Sequence, residues 1–150
     1  MSFAFCALAI SLPPMTSQDS IDLVNRFWAT VWNPPYDLTA VDQWVATDFV
    51  ITSAGQDIAS RAAFKAWITN FQAKIDDLHL TPLETFANID GSRVTSRWRI
   101  TGKNNGVLGT AADGQPIALT GIAIWAIADG RLVHNWVERS AFELYTQLNN

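Results

Sequence analysis

Two ionisable side chains, His134 and Glu138, stand four residues apart within Arg131 to Arg139, an extended segment near the end of the 150-residue chain. Side chains alternate along a strand, so in the absence of a bulge His134, Trp136, Glu138 and Ser140 share one face. An imidazole takes up protons near neutral pH, and a glutamate desolvated among tryptophans has its pKa raised toward the same range. The pair can therefore serve as general base and general acid toward a bound molecule. Ser140 and, from a preceding loop, Asn104 offer neutral hydrogen bonds to a carbonyl or enolate oxygen, which stabilises charge without proton transfer. Each residue also has a plainer use. His134 and Glu138 suit the wet end of a strand or a contact with a second copy, and Asn104, beside Asn105, suits a turn.

Other side chains contribute less. Tyr36 follows Pro34-Pro35, where a mouth loop would carry its phenol over a pocket or simply pack it. Asp48, Thr52 and Ser53 bracket a short β-branched run, and Asp48 fits a strand-end cap or ion pair better than a base. Cys6 is the only cysteine, and His79 and His134 are the only histidines, too few for a Cys- or His-rich cage, so no metal is expected. Gly102, Gly106 and Gly109 lie between strands with no following helix to cradle a phosphate, and no cofactor is expected either. The net charge is −4, and Arg93, Arg97 and Arg99 alternate along one strand as a solvated face, which argues against a nucleic-acid partner.

The elements that must position these residues follow from periodicity. Ile21, Val24, Trp28 and Val31 recur at three-and-four spacing, which predicts an amphipathic helix over residues 17–32, ended by Asn33-Pro34-Pro35. Asp37 caps a short second helix carrying Leu38, Val41, Trp44 and Val45. Residues 49–53 read as a strand closed by Ala54-Gly55, and Ser60 opens a third helix with a stripe of Phe64, Trp67, Ile68, Phe71 and Ile75. Beyond Asp76-Asp77 the chain turns extended: residues 78–89, 93–101, 115–127 and 131–139 are separated by Asp90-Gly91, Asp113-Gly114 and Asp129-Gly130, an antiparallel meander. Ala141–Leu148 closes as a helix. Helices first and a sheet afterwards is the α+β pattern, with helices over one face of a bent sheet. With 49% hydrophobic residues, 16% charged and seven tryptophans, the interior has room for an apolar pocket, lined by Trp28, Trp32, Trp98, Trp125 and Trp136.

Residues 1–12 are apolar, but no Lys or Arg precedes the run and it is too short to span a bilayer; Pro13-Pro14 then breaks it. The expectation is an N-terminal extension over residues 1–16 and one domain over 17–150, in the cytoplasm and without a membrane partner.

Residues 93–148 resemble the C-terminal half of the SnoaL-like polyketide cyclases, of the nuclear-transport-factor-2-like superfamily. The matching features are Trp98 with Gly102, Gly106 and Gly109, then Thr120-Gly121-Ile122, the Asp129-Gly130 hairpin, Trp136 and the closing Gln147-Leu148. Upstream, Ser60-Arg61-Ala62-Ala63-Phe64 is similar to the family's third-helix start. The resemblance implies a cone-shaped, curved antiparallel sheet wrapped around N-terminal helices, an α+β barrel with an internal pocket. It also implies a small apolar, oxygenated ligand (polyketide-, steroid- or terpenoid-like) and cofactor-independent cyclisation, isomerisation or dehydration. A homodimer through the outer sheet face follows too, supported by the nearly uncharged row Ile122, Ile124 and Ala126. Two positions depart from the family pattern: Asn104 stands where many members have a histidine, and Ser140 where they carry the acid that is their general base. Two functions are compatible with this. One is an enzyme in which Glu138 or His134 moves the proton while Asn104 and Ser140 hold the oxyanion; the other is a binding module that has kept the pocket and lost its acid and base.

Overall fold

Thr16 begins the first helix, α1 (Ser17–Val31), with a reciprocal cap. Its hydroxyl accepts from the Asp19 N–H at 3.1 Å, and the Asp19 carboxylate accepts from the Thr16 N–H at 2.8 Å. The computed structural model describes residues 14–150; residues 1–13, and with them most of the expected extension, lie outside the described residues. After α1 come α2 (Ala40–Trp44), β1 (Val45–Ser53), β2 (Gln56–Ala59), α3 (Arg61–Gln72), β3 (Ile75–Ala87), β4 (Arg93–Asn104), β5 (Pro116–Ala128), β6 (Arg131–Arg139) and α4 (Ala141–Leu148). Ser60 caps α3 through its hydroxyl, which accepts from the Ala63 N–H at 3.1 Å.

The strands form one six-stranded sheet in the order β2-β1-β6-β5-β4-β3. β3 to β6 make the expected antiparallel meander, and β2 returns antiparallel on β1. β1 joins β6 in parallel, a pairing that the helix α3 between them in sequence makes possible. The sheet is curved but unclosed, since β2 and β3 are its two edges, so the expected barrel is an open cone. Sequence patterning missed β2: the turn at Ala54-Gly55 joins a hairpin instead of ending the strand.

The apolar stripe of α1 puts Leu23, Val24, Phe27, Trp28 and Val31 against the sheet. α1 packs on β3 and β4, and α3 on β1, so both helices cover the concave face. The Asn33 side chain holds the end of α1 in place. Its amide donates to the carbonyls of Trp28 (3.1 Å) and Leu80 (2.9 Å), and its oxygen accepts from the Leu80 N–H at 3.1 Å. The core is aromatic, with Phe27, Phe49, Phe64 and Trp125 buried and in stacked, edge or tilted contact. No helix among the described residues is long and apolar enough to cross a membrane.

Candidate functional site

One residue in β6 decides which side chains face the interior. Trp125 pairs with Asn135, Ala126 with His134, and Ile127 with Leu132, so Val133 and His134 together oppose the single residue Ala126. This β-bulge shifts the alternation by one. Leu132 faces the core, and after the bulge the core-facing residues are Asn135, Val137 and Arg139. His134, Trp136 and Glu138 do share a face, as expected, but it is the outer one. The expectation that they work inside the pocket is therefore corrected.

On that outer face Thr52, from β1, gives its single hydroxyl hydrogen to Asp57 at 2.5 Å and so must accept from His134 Nε2–H at 2.8 Å. The His134 ring stacks on Trp136 with centroids 3.8 Å apart and planes 7° from parallel, and the Arg93 guanidinium carbon lies 5.7 Å from the Trp136 ring centroid. Partial burial pushes the His134 pKa below its ordinary 6.5, against the pull of Asp57 and with the help of Arg93. Trp136 is 38% exposed and is not in the wall of the interior cavity, so its assignment to that wall is corrected. Glu138, Arg139 and Ser140 border an open external groove with Arg97, Thr120 and Ile122. Ser140 stitches the start of α4 to β5: its hydroxyl oxygen accepts from the Thr120 N–H and hydroxyl, both at 3.1 Å.

Asn104 is buried, but its amide is consumed by its own loop. Oδ1 accepts from the N–H groups of Gly106 and Val107, both at 3.0 Å, while Nδ2 donates to Thr110 Oγ1 (3.0 Å) and the Ala111 carbonyl (2.8 Å). With its hydrogen-bonding capacity spent there, the turn-forming use is the one present, and the oxyanion role is corrected. Tyr36 likewise is packed, its hydroxyl donating to the Leu78 carbonyl at 2.5 Å. Asp48 is exposed at the outer surface of β1.

The cavity lies between α1, α3 and the concave sheet face. Trp28, Trp32, Trp98 and Trp125 line it, joined by Trp67 and Phe71 of α3. Its empty volume is about 350 Å³ including the open mouth, yet only about 20 Å³ is open to the centre of a water molecule, so the aromatic rings nearly fill it. Trp28 Nε1 donates to the buried Ser96 hydroxyl at 3.0 Å. By contrast, the indole N–H groups of Trp32, Trp98 and Trp125 and the Asn135 Oδ1 are buried with no protein partner. Buried polar groups without partners are uncommon, because each forfeits its hydrogen bond to water. Four of them, three donors and one acceptor, stand around this one cavity.

Arg139 completes the wall. It ends β6 with its side chain turned inward, Nη2 donating to the Ser53 hydroxyl at 2.9 Å. Its guanidinium carbon sits 5.5 Å from the Trp67 ring centroid and 5.1 Å from that of Phe71. Burial pushes its pKa down, with the charge of neighbouring Glu138 opposing the shift. Arg139 is the only charged residue of the lining, which holds neither a carboxylate nor an imidazole. Across the strands, Gly121 lies between Arg139 and Trp98, and the Trp98 ring rests on it.

Among the described residues no group of three or more His, Cys, Asp and Glu side chains stands together to hold a metal ion. Asn135, Arg139, Trp67 and Phe71 were not singled out as site residues by sequence reasoning. The helix stripe already contained Trp67 and Phe71, whereas nothing in Leu132-Val133-His134 announces a bulge.

The family model of the SnoaL-like polyketide cyclases matches residues 22–148. The chain belongs to that family. Its match runs from α1 to the end of α4 and so contains the whole cavity. No curated protein matches it in sequence. A protein from Jannaschia sp. CCS1 assigned as a SnoaL-like polyketide cyclase is 15% identical, with 92% of this chain and 96% of that one covered and a TM-score of 0.80. AclR from Streptomyces galilaeus, assigned as a hydroxylase, is 21% identical over 89% of this chain and 87% of its own, with a TM-score of 0.77. TsrD from Streptomyces laurentii is 22% identical over 89% and 97%, with a TM-score of 0.76. These likenesses establish a shared fold.

Proposed function

We propose that this SnoaL-like domain binds a small apolar molecule carrying at least one acceptor oxygen, of polyketide, steroid or terpenoid type, in the cavity between α1, α3 and the sheet. The observation that carries this reading is the set of indole N–H groups of Trp32, Trp98 and Trp125, buried without protein partners in a wall that is otherwise aromatic. Aromatic faces take up the ring system and the N–H groups select molecules with acceptors. A second reading, cofactor-independent cyclisation, isomerisation or dehydration, draws on family membership and on the same donors, which would stabilise an enolate oxygen. It needs a base, and the cavity wall carries none; binding is therefore the primary reading.

Titration with a hydroxyanthraquinone and with a steroid ketone tests it. At least one should move the indole resonances in a ¹H–¹⁵N spectrum and raise the thermal midpoint, with about 2.7 kcal/mol of stabilisation at a hundredfold excess over Kd. A bulky Val137→Trp variant should abolish both effects. Substitutions at the outer face, His134→Ala and Glu138→Gln, should leave affinity unchanged. Unmoved indole resonances with every probe would refute the reading.

The outer sheet face has its own proposal, a second copy of the chain. Register places Phe86, Thr95, Ile124 and Trp136 in one row across the face, and Glu84, Arg97, Ile122 and Glu138 in the next. Phe86, Ile122, Ile124 and Trp136 are 55, 50, 43 and 38% exposed, large apolar side chains side by side on an open face that a second copy would cover. A twofold axis along β5 through Ile122 would set Arg97 of each copy opposite Glu138 of the other, which makes the face self-complementary.

A further inference from the structure

Arg139 stands partly buried in the cavity wall, where it also borders two open surface grooves, and no carboxylate among the described residues is paired with it. A guanidinium offers five N–H donors in a planar fork, remains charged at any physiological pH, and loses part of its hydration when it is partly buried. Such groups are ordinarily paired with a carboxylate. Among the described residues no carboxylate oxygen lies within 4.0 Å of Arg139; its one side-chain hydrogen bond is to the neutral Ser53 hydroxyl. Glu138, next in sequence, lies on the exposed side of the strand and makes no ion pair with it. The two aromatic rings beside Arg139 lie within cation–π distance but accept no conventional hydrogen bond from it.

The remaining polar groups of the cavity strengthen the same imbalance. Three indole N–H donors and one guanidinium face a single unpartnered acceptor, Asn135 Oδ1. A neutral carbonyl would satisfy one or two of these donors and leave the charge uncompensated. A carboxylate supplies two oxygens and the missing negative charge in the geometry that a guanidinium fork matches best.

We propose that Arg139 is the anion anchor of the cavity and that the ligand is an apolar, ring-bearing carboxylate, its carboxyl group on the guanidinium and its rings among the indoles. This rests on the reading of the cavity as a ligand site and adds the ligand's charge to it. Trp67 and Phe71 stand at the anchor, so their rings must shift for the ring system to enter the narrow interior.

The test uses 2-naphthoate and its methyl ester, which share a ring system and differ in charge, titrated calorimetrically and followed through the indole resonances. Wild-type protein should bind the carboxylate at least about tenfold more tightly than the ester, the scale of a charge-assisted pair set against a neutral one. In Arg139→Gln and Arg139→Met that preference should fall below about threefold while the ester still moves the indole resonances. Equal binding of acid and ester by the wild type, a comparison that needs no variant, overturns the anchor and leaves the cavity reading standing. So does a preference that persists in both variants. If neither compound moves an indole resonance, the cavity reading falls together with the anchor.

Discussion

His134 shows how a residue chosen for its chemistry acts once its surroundings are known. Its ring lies flat on Trp136, and Nε2–H is engaged by Thr52, which in turn is held by Asp57. Burial lowers its pKa from the ordinary 6.5, so between pH 6.5 and the lower folded value the unfolded chain binds a proton that the folded chain does not. Stability therefore falls as pH drops through that window. Urea denaturation at pH 7.5 and 5.5 should show a larger loss for wild type than for His134→Gln, which keeps a donor for Thr52 but does not titrate. Equal losses would mean that the stacked imidazole is protonated as readily as a free one. The spacing of His134 and Glu138 was legible in the sequence. Their direction was not, because a bulge depends on how two strands register across a sheet and leaves no local signature. Asn104 was legible in both its uses, and the loop that consumes its amide decided between them.

At the scale of elements, the helices and the meander could be read because their apolar residues repeat with the period of the structure they form. The stripe of α1 and the alternation Val94, Ser96, Trp98 and Ile100 of β4 are buried as that period requires. β2 escaped because its four residues, Gln56–Ala59, are mostly exposed at a sheet edge and carry no apolar period. The β1–β6 parallel pairing escaped because it joins segments far apart in sequence. One glycine connects element to cavity. A Cβ on Gly121 would lie 2.6 Å from Trp98 Cη2 and in similar conflict with two further ring atoms, so Gly121→Ala must push the indole toward the cavity. The cost of such overpacking is about 1–3 kcal/mol, and in a chain of this size the thermal midpoint should drop by roughly 2–10 °C. The Trp98 indole resonance should move as well. An unchanged midpoint would show slack around that ring.

For the molecule as a whole, the two faces of the sheet carry separate proposals. The concave face holds the cavity, and the convex face exposes the apolar and charged rows assigned above to a second copy. Sedimentation velocity at micromolar concentration should give the mass of two chains. Ile124→Lys should give one, with an unchanged circular dichroism spectrum. Arg97→Glu should also separate the copies, and adding Glu138→Arg should rejoin them, since a twofold axis pairs those residues reciprocally. A monomeric wild type would leave the convex face without its proposed partner. Ligand affinity in Ile124→Lys should match wild type, because Ile124 is exposed on the convex face and is not in the cavity wall.

The bulge at Val133 also bears on how this chain is compared with its relatives. At 15–22% identity, correspondence along β6 is inferred from position, and here position changes meaning within two residues. A single codon gained or lost between the Asp129-Gly130 hairpin and Asn135 would exchange the two faces of the strand, turning His134, Trp136 and Glu138 inward and Asn135, Val137 and Arg139 outward. An alignment one column out along this strand makes the same exchange on paper. For β6, then, descent of a functional residue is traced by counting from the bulge and matching the face it occupies, and a shared column is not enough.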